Sequence, residues 1–168
     1  MALAAVLALA FYIRRDMNLM PGPASLGMPD VSVENLDFRR ATGGRNWHIR
    51  AAKAEHDSGM IRAFEIEVDV SDVSSDRSMS LRAQSGEFAE RDYSLDLRSL
   101  DGTLFQDGRS MDVLAPQANY ERSLDVWRFE QGVELWDDKS YINGGAASIA
   151  GDGVLSIRKG AYVSWTVE

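Results

Sequence analysis

The sequence lacks several residue types on which common functions depend. It contains no cysteine and only two histidines among 168 residues, which excludes disulfides and thiolate metal sites. His48 and His56 would share one face of a strand, but at this separation they are too far apart to bind one metal ion. A formal net charge of −8 argues against a protein that follows nucleic-acid phosphates, because that class has a basic face. We therefore expect no nucleic-acid partner.

Signatures of catalysis are also missing from the sequence. There is no G-x-S-x-G nucleophile elbow, no phosphate-binding loop and no dinucleotide fingerprint. Asp137-Asp138 and the Asp69/Asp72 pair lack the full ligand series of a calcium loop, so we interpret them as solvated turn residues. No two carboxylates are singled out as a glycosidase pair. We predict no catalytic residue, no metal site, no cofactor and a protein that is not an enzyme.

Long hydrophobic runs are rare, and the clearest one occupies residues 2–13, directly before Arg14-Arg15. A membrane span needs about 20 apolar residues and a signal-peptide core about 7–15. The sequence thus predicts a membrane anchor, truncated at its start, or a signal segment over residues 1–15, with a buried N-terminal helix as the alternative. Proline and glycine recur in residues 16–29 without periodicity, which indicates a linker. Residues 30–168 remain as one domain.

The sequence does contain a repeated pattern. Four segments begin at Trp47, Met79, Met111 and Tyr141, spaced 32, 32 and 30 residues apart. Each has an apolar start, a small residue at its fifth position and another small residue three positions later. Repeats of this period indicate a stack of one supersecondary unit. The small residues either let two strand layers approach closely or leave open volume inside a narrow barrel.

The repeated unit is predicted to be a β-hairpin. Apolar residues alternate with polar ones at period two, and turn residues such as Asp57-Ser58-Gly59 separate the members of each pair. Later strands share a glycine followed closely by aliphatic residues, as in residues 132–135, which is typical of a bent strand. We predict an all-β fold, an open pair of antiparallel sheets with an apolar inner face and an acidic outer face.

Three motifs connect the chain with a known family. They are residues 29–35 as an opening strand, the Ala51-x-x-Ala54-x-His56 element with its later copies, and the Gly-Val-x-Leu return strand at 132–135. In these the chain resembles the OstA-like β-jellyroll family of lipopolysaccharide transport proteins, over roughly residues 29–168. The apolar anchor and the linker favour the LptC family within it.

The resemblance implies a non-enzymatic role. Such a protein receives lipopolysaccharide from an inner-membrane ABC transporter and passes it through an apolar groove to an LptA-like periplasmic jellyroll protein. It would be a periplasmic domain anchored to the inner membrane of a diderm bacterium through its N-terminal segment. The same inward-facing residues would also form an ordinary sandwich core. The lipid-binding residues expected from the resemblance are Trp47, Ile49, Phe64, Ile66, Val68, Met79, Leu81, Leu95, Leu97, Met111, Val113, Val133 and Leu135.

Open jellyrolls leave strand edges unpaired, and such edges join partners by strand addition. We expect Val31 and Val33 in the first strand to lie at the edge that meets the transporter. Val163, Trp165 and Val167 in the last strand are expected at the edge that meets the LptA-like protein.

Arg50 and Arg82 occupy matching repeat positions on the polar face. Arginine suits phosphate geometry, so they are candidates to meet glycolipid phosphates, although repeat register explains their alignment equally well.

Two competing functions remain open at the level of sequence. An envelope scaffold would have a solidly packed jellyroll and bind only proteins, whereas a lipid carrier would leave a cavity between the sheets. A carbohydrate-acting enzyme or lectin would need exposed aromatics beside paired acids, for which Trp127 and Trp136 are the candidates.

Overall fold

The computed structural model describes residues 31–89, 91 and 94–166. The predicted anchor and linker, residues 1–29, therefore lie outside the described part of the chain. Within that part, no helix is long and apolar enough to cross a membrane. The described strands are β1 (Val31–Thr42), β2 (Arg45–Asp57), β3 (Met60–Asp72), β4 (Arg77–Ala89), β5 (Ser94–Gln106), β6 (Arg109–Glu121), β7 (Val126–Phe129), β8 (Val133–Trp136), β9 (Ser140–Gly144), β10 (Ala146–Ala150), β11 (Leu155–Arg158) and β12 (Tyr162–Trp165).

All strands belong to one antiparallel sheet, and β1 to β6 pair in chain order. Strand β6 then pairs with β7 near one end and with β8 near the other. From there the sheet continues along two branches, β7–β10–β11 and β8–β9–β12. The predicted all-β, antiparallel jellyroll built from hairpins is confirmed.

Short turns connect several of the hairpins. Ser58 and Gly59 both have positive φ, 51° and 81°, and Asp107 and Gly108 follow the same pattern at 53° and 76°. Two-residue turns with positive φ at both positions match the right-handed twist of the strands that they join. Glycine at the second position adopts this backbone without steric cost.

A row of bends crosses the long strands at their middle. Asn35, Glu65 and Ser99 lie inside β1, β3 and β5 with left-handed φ of 53°, 51° and 52°. Strand pairing stops at these residues and resumes on both sides in the same register. The facing positions on β2, β4 and β6 are also skipped, and one of them is a proline, which has no N–H to donate. We call the row Asn35, Ala52, Glu65, Gln84, Ser99 and Pro116 the bend row.

The bend row changes which face of each strand is buried. Ala51 and Ala54 on β2 are both buried, although residues three apart in a regular strand point to opposite faces. Ala115 and Ala118 on β6 show the same pattern. Inner positions therefore shift by one residue at each crossing, which divides the sheet into two half-sheets. Half-sheet 1 comprises residues 31–34, 53–57, 60–64, 85–89, 94–98 and 117–121 with β7, β10 and β11, and half-sheet 2 comprises residues 36–42, 45–51, 66–72, 77–83, 100–106 and 109–115 with β8, β9 and β12.

The two half-sheets pack face to face around one core. Trp47 on half-sheet 2 contacts Tyr120 on half-sheet 1, with ring centroids 5.5 Å apart, although β2 and β6 are not neighbours. At Gly86, an added Cβ would lie 2.8 Å from Ile66 Cδ1, which belongs to the other half-sheet. The small residues of the repeat thus let the two layers approach closely. The largest fully buried side chains of the core are Phe129, Leu81, Leu97, Leu100, Leu135, Val68 and Val113.

Candidate functional site

Most of the predicted lipid-binding residues face the interior. Eight of them are buried: Trp47, Ile66, Val68, Leu81, Leu97, Val113, Val133 and Leu135. Four more are partly buried and pack against the core: Ile49, Met79, Leu95 and Met111. The period-two pattern therefore predicted the inner face of both half-sheets, with one exception.

The inward placement predicted for Phe64 is wrong. Its side chain is 40% exposed, whereas Ala63 beside it packs against the core. The predicted alternation of Phe64, Ile66 and Val68 assumes a regular strand, but the left-handed Glu65 lies between the first two. The bend moves Phe64 to the outer face.

The middle of the interior is closed. Leu81, Leu97, Val113 and Leu135 each have 0% exposure, so they touch no space large enough for a water molecule. In this conformation they form an ordinary close-packed core. A groove that runs along the whole predicted set is not open in the structure.

An open cleft lies between the half-sheets on the side away from the bend row. It has a volume of about 560 Å³, within the range of roughly 300–1,000 Å³ that is usual for small-molecule sites. Met79 and Met111 are the members of the predicted set that line it. Sequence reasoning missed the other apolar lining residues, which are Val70, Leu104, Phe105, Trp127, Ile149, Ala150 and Leu155.

The cleft brings together strand ends that are far apart in the sequence. Half-sheet 2 contributes the ends of β3 to β6, and half-sheet 1 contributes β7, β10 and β11. The two methionines have flexible, polarisable side chains that adapt to irregular apolar ligands. The cleft can hold an apolar chain while leaving a polar end at its rim.

Arg45 joins the two half-sheets at the rim of this cleft. Its Nε donates to Asp72 Oδ1 at 2.9 Å within half-sheet 2. Its Nη1 donates to Asp125 Oδ1 at 2.6 Å, in the turn between β6 and β7. Its Nη2 donates to the Gly151 carbonyl at 2.6 Å, in the turn between β10 and β11. One guanidinium thus connects the start of β2 with two turns that end strands of half-sheet 1.

Further polar contacts support the acids around Arg45. Arg77 Nη2 lies 2.6 Å from Asp72 Oδ2, and Tyr120 Oη donates to Asp125 Oδ1 at 2.9 Å. Partial burial by itself would raise the pKa of Asp72, but the Ser75 hydrogen bond and the arginine charges outweigh it, so that the pKa is lowered. Burial and the nearby Asp125 charge raise the pKa of Tyr120. Asp72 is therefore ionised and Tyr120 neutral at neutral pH, and both states favour the Arg45 contacts.

Two arginines from the sequence analysis lie away from the cleft. Arg50 forms ion pairs with Glu67 at 2.8 Å and Asp69 at 3.1 Å on the outer face of β3. Arg82 lies 3.7 Å from Glu67 on the same face. The prediction that both face outward is confirmed, and their acidic partners explain their position without a ligand.

The aromatic residues that would suit a lectin are not exposed as expected. Trp127 is 5% exposed and packs against Tyr120, with ring centroids 5.0 Å apart. Trp136 is partly buried. Among the described residues, no cluster of three or more His, Cys, Asp or Glu side chains is placed to hold a metal ion.

Both predicted edge strands lie at edges of the described sheet. β1 pairs with β2 alone, and Val31 and Val33 on it are half-buried. β12 pairs with β9 alone, and its Val163 and Trp165 are 38% and 70% exposed. Val167 lies outside the described residues. β11 is a further edge, because it pairs with β10 alone, and it was not predicted from the sequence.

Comparison with known proteins identifies the fold. No protein-family profile matches the chain, and no curated protein sequence matches it either. Among the solved structures that match is LptH, the LptA-homologous periplasmic component of the lipopolysaccharide transport device of Pseudomonas aeruginosa. The match has a TM-score of 0.53 and 8% sequence identity, and it covers 73% of this chain and 94% of that one. The chain has the β-jellyroll architecture of that protein.

Proposed function

We propose that this chain is a non-catalytic component of lipopolysaccharide transport in the envelope of a diderm bacterium, a member of the LptC family. Its role is to bind the acyl region of the glycolipid and pass it on. One observation carries the proposal: this chain, whose jellyroll is similar to that of LptH, has an apolar cleft that is open to solvent between its two half-sheets.

The physical demand of such a cargo fits the cleft. An acyl chain of about a dozen methylene groups gains on the order of 10 kcal/mol when it leaves water, at about 0.8 kcal/mol per group. Apolar side chains on both walls of the cleft supply that burial. Because hydrogen bonds to the apolar part are not needed, release depends only on an equally apolar site further along.

The edges of the sheet provide a way to extend this path. β1 and β12 offer unpaired backbone groups on their outer sides in the described part of the chain. We propose that the region of β1 meets the inner-membrane ABC transporter and that β12 pairs with an LptA-like jellyroll by strand addition. Residues 1–15 would hold the domain at the inner membrane, with the folded part in the periplasm.

Photocrosslinking to purified lipopolysaccharide tests the proposal. Probes replace Met79 and Met111 inside the cleft, and matched control probes replace Ser80 and Asp112, the next residues on the same strands, which are exposed. We expect crosslinks from the first pair only. Equal yields from both pairs, or silence at Met79 and Met111 in folded protein supplied with lipopolysaccharide, would contradict lipid binding in the cleft.

The competing function is a protein-only envelope scaffold. The observation that favours it is the closed middle of the interior, where Leu81, Leu97 and Val113 are fully buried. A scaffold needs the edges β1 and β12 but no cargo. Silent cleft probes together with intact partner binding through β12 would establish the scaffold instead.

A further inference from the structure

We propose that Arg45 is the latch of a cleft that opens along the bend row. The latch comprises Arg45, Asp72, Asp125 and the Gly151 carbonyl, and it holds half-sheet 1 to half-sheet 2 on the side opposite the bends. This inference rests on the proposed function for its ligand, but the opening motion is measurable without one.

The first argument is the contrast in burial along the interior. Residues that line the cleft, such as Met79, Leu104 and Met111, are partly exposed. Val113 and Leu81, further towards the bend row, have 0% exposure. A chain longer than the cleft can reach the deeper residues only if the half-sheets part from the open side inward.

The second argument is the construction of the opposite side. At the bend row the strands continue from one half-sheet into the other, but ladder pairing is interrupted at every crossing from β1 to β6. Buried alanines flank the bends of β2, β4 and β6, namely Ala51, Ala83 and Ala115, so little side-chain volume resists a change of angle on those three strands. In the branches that follow β6 the strands are broken outright near Gly132 and Gly145, with a hydrogen bond from Gly132 N to Gly145 O at 3.1 Å.

The third argument is the geometry of the latch itself. The ion pair of Arg45 with Asp72 lies within half-sheet 2, and Arg77 of the same half-sheet also binds Asp72. Parting of the half-sheets therefore does not require this pair to break. Only two of the three hydrogen bonds of Arg45, those to Asp125 and Gly151, cross between the half-sheets. Asp125 is partly exposed, with 44% of its side-chain surface open to solvent. The crossing contacts can therefore break without leaving a buried charge on either side.

Opening is tested by thiol labelling, for which the cysteine-free chain gives a clean background. Single cysteines are introduced as Val113→Cys, on the path from the cleft, and as Leu100→Cys, a buried position next to the bend row. Each is combined with Arg45→Gln or with the control Arg50→Gln. Arg50 lies on the same strand and also binds two acids, but both belong to half-sheet 2.

We expect Arg45→Gln to raise the labelling rate of the Val113→Cys protein at least tenfold and that of the Leu100→Cys protein less than twofold. Arg50→Gln should leave both rates within a factor of two. Equal acceleration at both positions would mean general destabilisation and would contradict the proposal that Arg45 holds the cleft closed. The absence of acceleration at either position would contradict it as well.

A reversible lock gives the second test. Val73 follows Asp72 and Leu124 precedes Asp125, and both side chains are exposed, at 67% and 57%. The double variant Val73→Cys/Leu124→Cys is bridged by a bis-methanethiosulfonate, which forms a reducible disulfide with each cysteine and releases sulfinate, and uptake of a fluorescent lipid with a twelve-carbon acyl chain is measured. We expect at least tenfold weaker uptake when bridged and recovery after reduction, whereas equal uptake in the two forms would overturn the latch. If no form takes up lipid, the proposed function fails, and the labelling rates alone decide the latch.

Discussion

The strands before the β6–β7 turn and the strands after it cross the bend row in two different ways. In the first region, β1 to β6, each strand runs through the bend as one element of 12 or 13 residues. In the second region, β7 to β12, no strand is longer than 5 residues, and each branch of the sheet ends at the bend row. Among the continuous strands, β1, β3 and β5 bend through a single left-handed residue and β2, β4 and β6 skip one residue of the ladder, whereas the later strands break at glycines such as Gly132 and Gly145.

This difference separates local backbone continuity from core packing. Phe129 in the second region is 0% exposed, just as Leu81 is in the first. Short strands would be marginal by themselves, because isolated hairpins gain too little from pairing. The second region therefore depends on the core that it shares with the first, and the comparison can be tested at single residues.

The largest loss of stability is expected when a side chain that the second region contributes to the shared core is removed. Phe129→Ala should lower the free energy of unfolding by about 3–5 kcal/mol, because it leaves a cavity among fully buried neighbours. Leu81→Ala should cost about 2–5 kcal/mol from the first region. Urea unfolding followed by fluorescence measures both. A loss below about 1 kcal/mol for Phe129→Ala alone would show that the second region unfolds separately.

A smaller loss of stability is expected when a small residue of the repeat is replaced by a larger one. In Gly86→Val the first added carbon would already lie 2.8 Å from Ile66 Cδ1 and 2.9 Å from Leu97 Cδ2. Overpacking of this kind costs about 1–3 kcal/mol. Ser78→Val, at an exposed position of the same strand, should change stability by less than about 0.5 kcal/mol. If Gly86→Val were equally harmless, the half-sheets would not be in contact there.

The bends of the first region are tested at Ser99. Its φ of 52° is unfavourable for a β-branched residue, and Ser99→Val should cost about 1–2 kcal/mol. Ser110→Val, an exposed strand position on β6, is the matched control and should be neutral or slightly stabilising. Chemical denaturation compares the two variants. Equal stability of both variants would mean that β5 crosses the bend row as a regular strand.

The smallest effect concerns Asp72, which binds Arg45, the residue whose other two hydrogen bonds reach the turns at Asp125 and Gly151. The pKa of Asp72 is lower in the folded protein than its ordinary value, so its ionised form stabilises the fold above about pH 4 and this contribution is lost as the pH falls through the folded pKa. The stability difference between the native chain and Asp72→Asn should therefore shrink between pH 6 and pH 3. The difference for Phe129→Ala involves no titrating group and should stay constant. Urea midpoints at several pH values measure both, and a constant Asp72→Asn difference would contradict the ion pairing.

Local pattern predicted much of the first region. The hairpin repeat, the turns at Ser58-Gly59 and the inner residues of β2 to β6 follow from period two and from turn chemistry. The bend row did not follow, because alternation was extended through Glu65 to Phe64. The spacing of three between Ala51 and Ala54 contained the signal, since two small inner residues at that distance require a change of face.

The cleft was beyond the reach of local pattern. Val70 and Leu104 line the same cleft as Ile149 and Leu155 only because the half-sheets fold onto each other. Nothing in the local sequence around these residues indicates that they share a cleft. The same holds for Arg45, whose partners Asp125 and Gly151 lie on two distant turns. Membership of the inner face could be predicted, but which inner residues are packed and which stay open depends on the angle between the layers.

The regular crossing of the bend row has a consequence for how such a molecule can grow. Each hairpin of the first region enters and leaves the line at the same relative position, so one more copy of the repeat would fit between two existing ones without a change of design. Neighbouring strands are about 4.8 Å apart, and a duplicated hairpin would lengthen the interior by about 10 Å. The span of the protein is thus a property that gene duplication can adjust in fixed steps.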